Sequence, residues 1–224
     1  MASWMVHLRV ADALLELIPG LVPREFIMGN IAPDSGIPDE SWTVFTPSKT
    51  VSHFEVKDAQ GKHIDVAHYA RSYFTPKQQR SYDDKQYSFY IGYLTHLLTD
   101  IQWKQQVFLP TAERCSAELA ADKAAFMARM KDDWYNQDFL YLCAHPDFRA
   151  FHIYAGSTGF QNTYMDIFSS DAFDNRREYI VSFYRQPNEN LDREYPYLTQ
   201  QDAGRFVQDT VNWILEQLRI HYCI

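Results

Sequence analysis

The stretch Tyr90-Ile91-Gly92-Tyr93-Leu94-Thr95-His96-Leu97-Leu98-Thr99-Asp100 reads as a buried helix, yet it carries a histidine and an aspartate four residues apart. At 3.6 residues per turn, positions i and i+4 share one face, so His96 and Asp100 point the same way. An uncompensated buried carboxylate costs several kcal/mol. Three partners could supply the compensation: the two side chains for each other, an arginine from a neighbouring helix, or a metal ion.

Working outward, the pair is surrounded in the sequence by further nitrogen and oxygen ligands of the kind zinc accepts. His7 lies near the start of a segment, Trp4 to Ile18, in which Met5, Leu8, Ala11, Leu14, Leu15 and Ile18 recur at helical spacing, with Ser3 as N-cap and Pro19-Gly20 as the stop. One turn from Ala11, His7 faces inward. A short helix from Pro23 to about Met28 leads into the turn Gly29-Asn30-Ile31-Ala32-Pro33-Asp34. Residues 37 to 62 are irregular, with a weak strand pair around Lys57 to Ile64, and they contain Ser52-His53-Phe54. A loop that long in a compact domain has a reason, and holding a site is a common one. Further helices are expected over Val66 to Phe74, Gln79 to Trp103, Thr111 to Trp134 and Gln200 to His221, with Thr111 and Thr199 as caps. Residues 135 to 198 mix short helical patterns with turn formers. The expected fold class is all-α, a multi-helix bundle.

With 224 residues, 46% of them hydrophobic, the chain can bury one sizeable core, and no repeat, low-complexity run or linker divides it. A single domain over residues 1–224 is expected. The formal charge of −8 argues against a broad nucleic-acid surface. Cys115, Cys143 and Cys223 are odd in number and widely spaced, so they read as small buried residues rather than a disulfide framework. His63, His68 and His221 read as exposed or supporting histidines, and Arg176-Arg177 as part of a solvated face. The opening residues lack the pattern of a signal peptide and no apolar run approaches about 18 residues, which points to a cytoplasmic chain without a transmembrane segment.

In order, His7-Leu8-Arg9-Val10, Asp34 after Ile31-Ala32-Pro33, Ser52-His53-Phe54 and Gly92-x3-His96-x3-Asp100 resemble the zinc-dependent phospholipase C family, whose all-α fold is shared with zinc-dependent single-strand nucleases. The resemblance covers roughly residues 4 to 104. It implies that Asp34, His53, His96 and Asp100 hold one zinc. It also implies that Asp100 and His7, with the amino-terminal amine and carbonyl of the mature chain, hold a second. The family has further histidines and a glutamate beyond this helix for a third zinc, but this chain reads Ile101-Gln102-Trp103-Lys104. Asp133 and Asp138 are candidates to take their place, so two or three zinc ions are expected.

The activity implied is phosphoric-ester hydrolysis of the phosphodiesterase type, with a metal-activated water as nucleophile and Asp34 orienting or deprotonating it. The partner implied is a phosphate-ester small molecule or a lipid headgroup. Ser35 stands where the family places a headgroup-contacting tyrosine, so a phosphatidylcholine preference is not carried over. A nuclease of the same fold, and a non-catalytic metal- or small-ligand-binding relative, remain open alternatives.

Overall fold

The computed structural model describes residues 1–41, 43–59, 61–188 and 191–222. Its elements are α1 (Trp4–Leu17), α2 (Pro23–Ile31), a 3-10 turn (Ala32–Asp34), β1 (Ile37–Pro38), β2 (Phe45–Thr46), α3 (Lys49–Ser52), β3 (Glu55–Asp58), β4 (Gly61–Ile64), α4 (Val66–Tyr73), α5 (Pro76–Ser81) and α6 (Asp84–Trp103). A π-helical turn (Lys104–Phe108) follows, then α7 (Leu109–Arg114), α8 (Ser116–Ala121), α9 (Lys123–Ala144), α10 (Arg149–Gly156), α11 (Ala172–Arg185) and α12 (Gln200–Tyr222). The fold is all-α. Among the described residues the strands form two antiparallel pairs, β1 with β2 and β3 with β4, the second with Glu55 opposite Ile64.

Helix α6 is central, with every residue from Ser88 to Asp100 buried, as its almost unbroken apolar sequence requires. Its closest neighbour is α2, and glycine makes the approach possible. A Cβ on Gly92 would stand 2.2 Å from the Phe26 carbonyl oxygen, and one on Gly29 would stand 2.1 Å from the Phe89 carbonyl oxygen. Only a residue without a side chain lets two backbones meet this way. Asn30 Nδ2 donates to Thr95 Oγ1 at 3.1 Å across the same seam, and the Val22 N–H donates to Ser88 Oγ at 2.8 Å.

The main apolar cluster draws on residues from Met5 to Leu218, so the first and last long helices close over the same interior. A second cluster gathers Ala2 and Val6 with Trp103, Phe126, Met130, Trp134, Tyr197 and Phe206 at the far end of α6. Among the described residues, no helix is long and apolar enough to cross a membrane.

Some expectations are corrected. The helix expected from Gln79 is two helices, because Asp83 caps α6 with a reciprocal box in which its side chain accepts from the Gln86 N–H and Gln86 answers the Asp83 N–H. The one expected over Thr111 to Trp134 breaks at Cys115 and at Asp122, whose extended backbone (φ −153°, ψ 97°) makes it the cap of α9. Thr111 is buried inside α7 rather than capping it, while Thr199 Oγ1 does accept from the Asp202 N–H. Cys115 is half-buried and Cys143 exposed, neither of them fully in the core, and Cys223 lies outside the described residues. Arg176 and Arg177 are buried, not solvated: Arg176 Nη2 donates to the Gly36 carbonyl at 2.6 Å, and Arg177 pairs with Asp174 at 2.6 Å. His63, His68 and His221 are exposed, as expected.

Candidate metal centre

Five of the seven site residues expected from the sequence meet at one place. His7 comes from the second turn of α1, Asp34 from the 3-10 turn after α2, His53 from the end of α3, and His96 with Asp100 from α6. Elements with little in common locally converge because α6 runs through the middle of them.

His53 Nε2 lies 3.4 Å from Asp34 Oδ1, 3.3 Å from His96 Nε2 and 3.7 Å from Asp100 Oδ2. His96 Nε2 lies 3.6 Å from the same Asp100 oxygen. A tetrahedral zinc with bonds of about 2.0–2.1 Å has ligand-to-ligand edges of roughly 3.3–3.4 Å, whereas hydrogen-bonded heavy atoms sit at about 2.7–3.2 Å. The four atoms stand at the spacing of a coordination shell. On the other side of Asp100, Oδ1 is 3.3 Å from His7 Nε2 and accepts the Ala2 N–H at 2.8 Å. The two oxygens of Asp100 thus face two different groups, the arrangement a bridging carboxylate needs. Among the described residues, His7, His96 and Asp100 form one set able to hold an ion, and Asp34, His53 and His96 another.

The outer nitrogens explain why these imidazoles point inward. His96 Nδ1 lies 2.7 Å from the Asn30 carbonyl oxygen, which only accepts, so Nδ1 carries a proton and Nε2 is the nitrogen turned to the cluster, with a lone pair to offer whenever the ring is neutral. His53 Nδ1 is 2.9 Å from Ser52 Oγ, and the Tyr93 hydroxyl donates to the Ser52 carbonyl, which fixes the end of α3 against α6. Phe54, the next residue, turns the chain with a left-handed backbone (φ 53°), a conformation that costs a non-glycine residue about 1–2 kcal/mol. Its ring is held among Tyr69, Tyr73 and Tyr93.

Protonation favours a cation. Burial, then the neighbouring His96, pushes His7 down to about 4, so it is neutral at physiological pH. Burial works to raise Asp34, but the His53 hydrogen bond and the charges of His96 and Lys49 hold it far below the usual carboxylate range. Asp100 is opposed by burial too, yet the amino terminus, His7 and His96 keep it well below its ordinary value. Both His7 nitrogens and Asp100 Oδ2 are buried without a hydrogen-bond partner among the described residues. Each such orphan costs about 1–3 kcal/mol; a metal would satisfy Asp100 Oδ2 and the one His7 nitrogen that bears a lone pair, the other nitrogen carrying the proton. Neutral imidazoles and ionised carboxylates are the states in which these side chains ligate.

Asp133 and Asp138 are not brought to this cluster. Asp133 Oδ1 accepts from Arg193 Nη1 at 2.7 Å and Oδ2 from the Tyr197 N–H at 2.8 Å. Asp138 Oδ1 accepts from Ser3 Oγ at 2.8 Å and Oδ2 from the Tyr184 hydroxyl at 2.6 Å. The supporting residues Asn30 and Ser52 escaped the sequence reading. A serine immediately before a candidate ligand histidine was a visible signal, whereas a backbone carbonyl carries none.

Fold and site together define an all-α protein with a histidine and carboxylate cluster suited to zinc. Residues 6–103 match the family model described as zinc dependent phospholipase C, so the resemblance drawn from the motifs is borne out over that stretch. The match ends at Trp103, where α6 gives way to the π-helical turn. Searches of the curated proteins and of the solved structures find no match.

Proposed function

We propose that this chain is a zinc-dependent hydrolase of phosphoric esters, a phospholipase C-like phosphodiesterase folded as one domain over residues 1–224, with His7, Asp34, His53, His96 and Asp100 as ligands of two zinc ions. The observation that carries the reading is the set of edges of 3.3–3.7 Å around His53, His96 and the split carboxylate of Asp100. Bound zinc would supply stabilisation of the phosphoryl oxygens and a water acidified towards a pKa of about 7.

The side chains divide the remaining work. Asp100, with a side chain only 1% exposed, would be the carboxylate ligand shared by the two ions. Asp34 is the ligand carboxylate nearest to solvent, with a side chain 9% exposed, and it is ionised at neutral pH. In this reading it orients the attacking water and takes its proton. The substrate class is a phosphate-ester small molecule or a lipid headgroup, since a net charge of −8 repels a polyanion.

Elemental analysis of the purified protein is expected to give two zinc ions per chain, with turnover of a chromogenic phosphodiester that is lost on chelation and in His96→Ala. Absence of zinc, or equal turnover in His96→Ala, overturns the proposal. Bound zinc without turnover on phosphodiesters, phosphomonoesters or short-chain phospholipids points to a non-catalytic relative.

A further inference from the structure

We infer that Asp138 is a positioning residue for the metal centre, acting through the Ser3 hydroxyl to hold Ala2, Ser3 and the first turn of α1 against Asp100. The inference rests on the metal-centre reading above. Asp138 is 2% exposed and sits on α9, outside the ligand cluster. Its Oδ1 accepts from Ser3 Oγ at 2.8 Å while its Oδ2 accepts from the Tyr184 hydroxyl of α11 at 2.6 Å. Ser3 is the N-cap of the helix that carries His7: its Oγ accepts the Val6 N–H at 3.4 Å and its carbonyl accepts the His7 N–H at 3.1 Å. The residue before it, Ala2, donates its N–H to Asp100 Oδ1, the oxygen that also faces His7 Nε2. An unbroken chain of contacts therefore runs from Tyr184 through Asp138, Ser3 and Ala2 to Asp100.

The chemistry explains why a carboxylate stands at this place. Ser3 could cap α1 alone, and an apolar residue at 138 would avoid the expense of burying a carboxyl group. What an apolar residue cannot do is accept from two hydroxyls at once and so fasten the segment before α1 to α11. With the fastening lost, the Ser3 hydroxyl is free to rotate and the Ala2 N–H is no longer held on Asp100. Both groups facing Asp100 Oδ1, His7 and Ala2, then lose their common anchor.

The test uses the full-length protein, stripped of metal and titrated with zinc or cobalt(II) against a chromophoric chelator. Ser3→Ala, Asp138→Ala, the double variant and Asp138→Asn are compared, with circular dichroism to check helix content. Each alanine variant is expected to weaken one of the two metal sites by about 10- to 100-fold and to alter the cobalt(II) visible absorption, with helix content unchanged. The double variant loses no more than either single one, because both act on one link. Asp138→Asn restores affinity, since the amide offers an acceptor to one hydroxyl and a donor to the other. An unchanged affinity and spectrum in folded Ser3→Ala, or full additivity in the double variant, overturns the inference. Should Asp138→Ala fail to fold, Ser3→Ala and Asp138→Asn decide it. If the wild-type chain takes up no zinc, the metal-centre reading fails first; if it takes up zinc and Ser3→Ala is unaffected, only this inference fails.

Discussion

Asp100 and Asp133 are carboxylates on long helices with side chains that are each 1% exposed, and they are compensated in opposite ways. Asp133, in the half of the chain beyond Trp103, spends one oxygen on Arg193 and the other on the Tyr197 N–H. Asp100, in the half matched by the family model, keeps Oδ2 without a hydrogen bond and stands beside a histidine with two orphaned nitrogens. Burial of a carboxylate is thus no guide to its role. The state of its second oxygen is: a carboxylate with both oxygens hydrogen-bonded braces the fold, and one left open in a ring of imidazoles is prepared for a cation.

The comparison can be attacked from several sides. The largest effect is expected from Gly92→Ala, whose Cβ would meet the Phe26 carbonyl oxygen at 2.2 Å and must push α2 from α6. A loss of about 3 kcal/mol or more is expected in chemical denaturation, together with weaker zinc binding as the Asn30 carbonyl moves from His96. Normal stability with normal zinc content would mean that the helix seam does not support the centre. Asp133→Ala follows, with a loss of about 3 kcal/mol because Arg193 and the Tyr197 N–H are stranded, and zinc content should stay at the wild-type value.

His7→Leu should do the reverse. It removes two unsatisfied buried nitrogens, so the metal-free protein gains about 1–2 kcal/mol while zinc affinity falls. A metal-free His7→Leu protein as destabilised as Asp133→Ala would erase the contrast between the two halves.

The smallest effect is a slope. Burial raises Asp138 to about 7, above the ordinary 3.8, so the folded state holds a proton that the unfolded chain releases. Stability from this group is full below about pH 4 and declines as pH rises towards 7. Asp138→Asn should therefore gain stability relative to wild type across that window and run parallel to it above pH 7, in metal-free protein monitored by thermal denaturation. His7, lowered to about 4, contributes the opposite slope in both proteins and cancels in the difference. A difference that is flat in pH would show that Asp138 is already ionised throughout.

Much of the ligand half was legible in the sequence. Helical periodicity put His96 and Asp100 on one face of a buried helix and turned His7 inward, and these follow from local geometry alone. Asp34 and His53 were candidates by residue type, and only the resemblance joined them to the pair, because the turn and the short helix that aim them carry no period. Beyond Trp103 legibility fails for a physical reason. Asp133 finds its partners at residues 193 and 197, and Asp138 at residues 3 and 184, so only the assembled fold distinguishes a brace from a ligand. Arg176 and Arg177 look like a surface charge pair until the Gly36 carbonyl and Asp174 are seen to receive them. The breaks at Asp83 and Asp122 contain neither glycine nor proline, although the Asp83-x-x-Gln86 box was readable.

The glycine seam between α2 and α6 leaves one further mark on the molecule. The acceptor that orients His96 is a main-chain carbonyl, so no single side-chain replacement can delete it. Natural variation can reach the electron-donating character of this imidazole only by changing the distance between two helices, and that distance is limited on one side by direct backbone contact. On the zinc reading proposed above, the grip on a metal and the packing of the protein's centre would be in effect one variable, and a variant selected for altered metal preference should carry its substitutions along the α2 and α6 seam rather than around His96 itself.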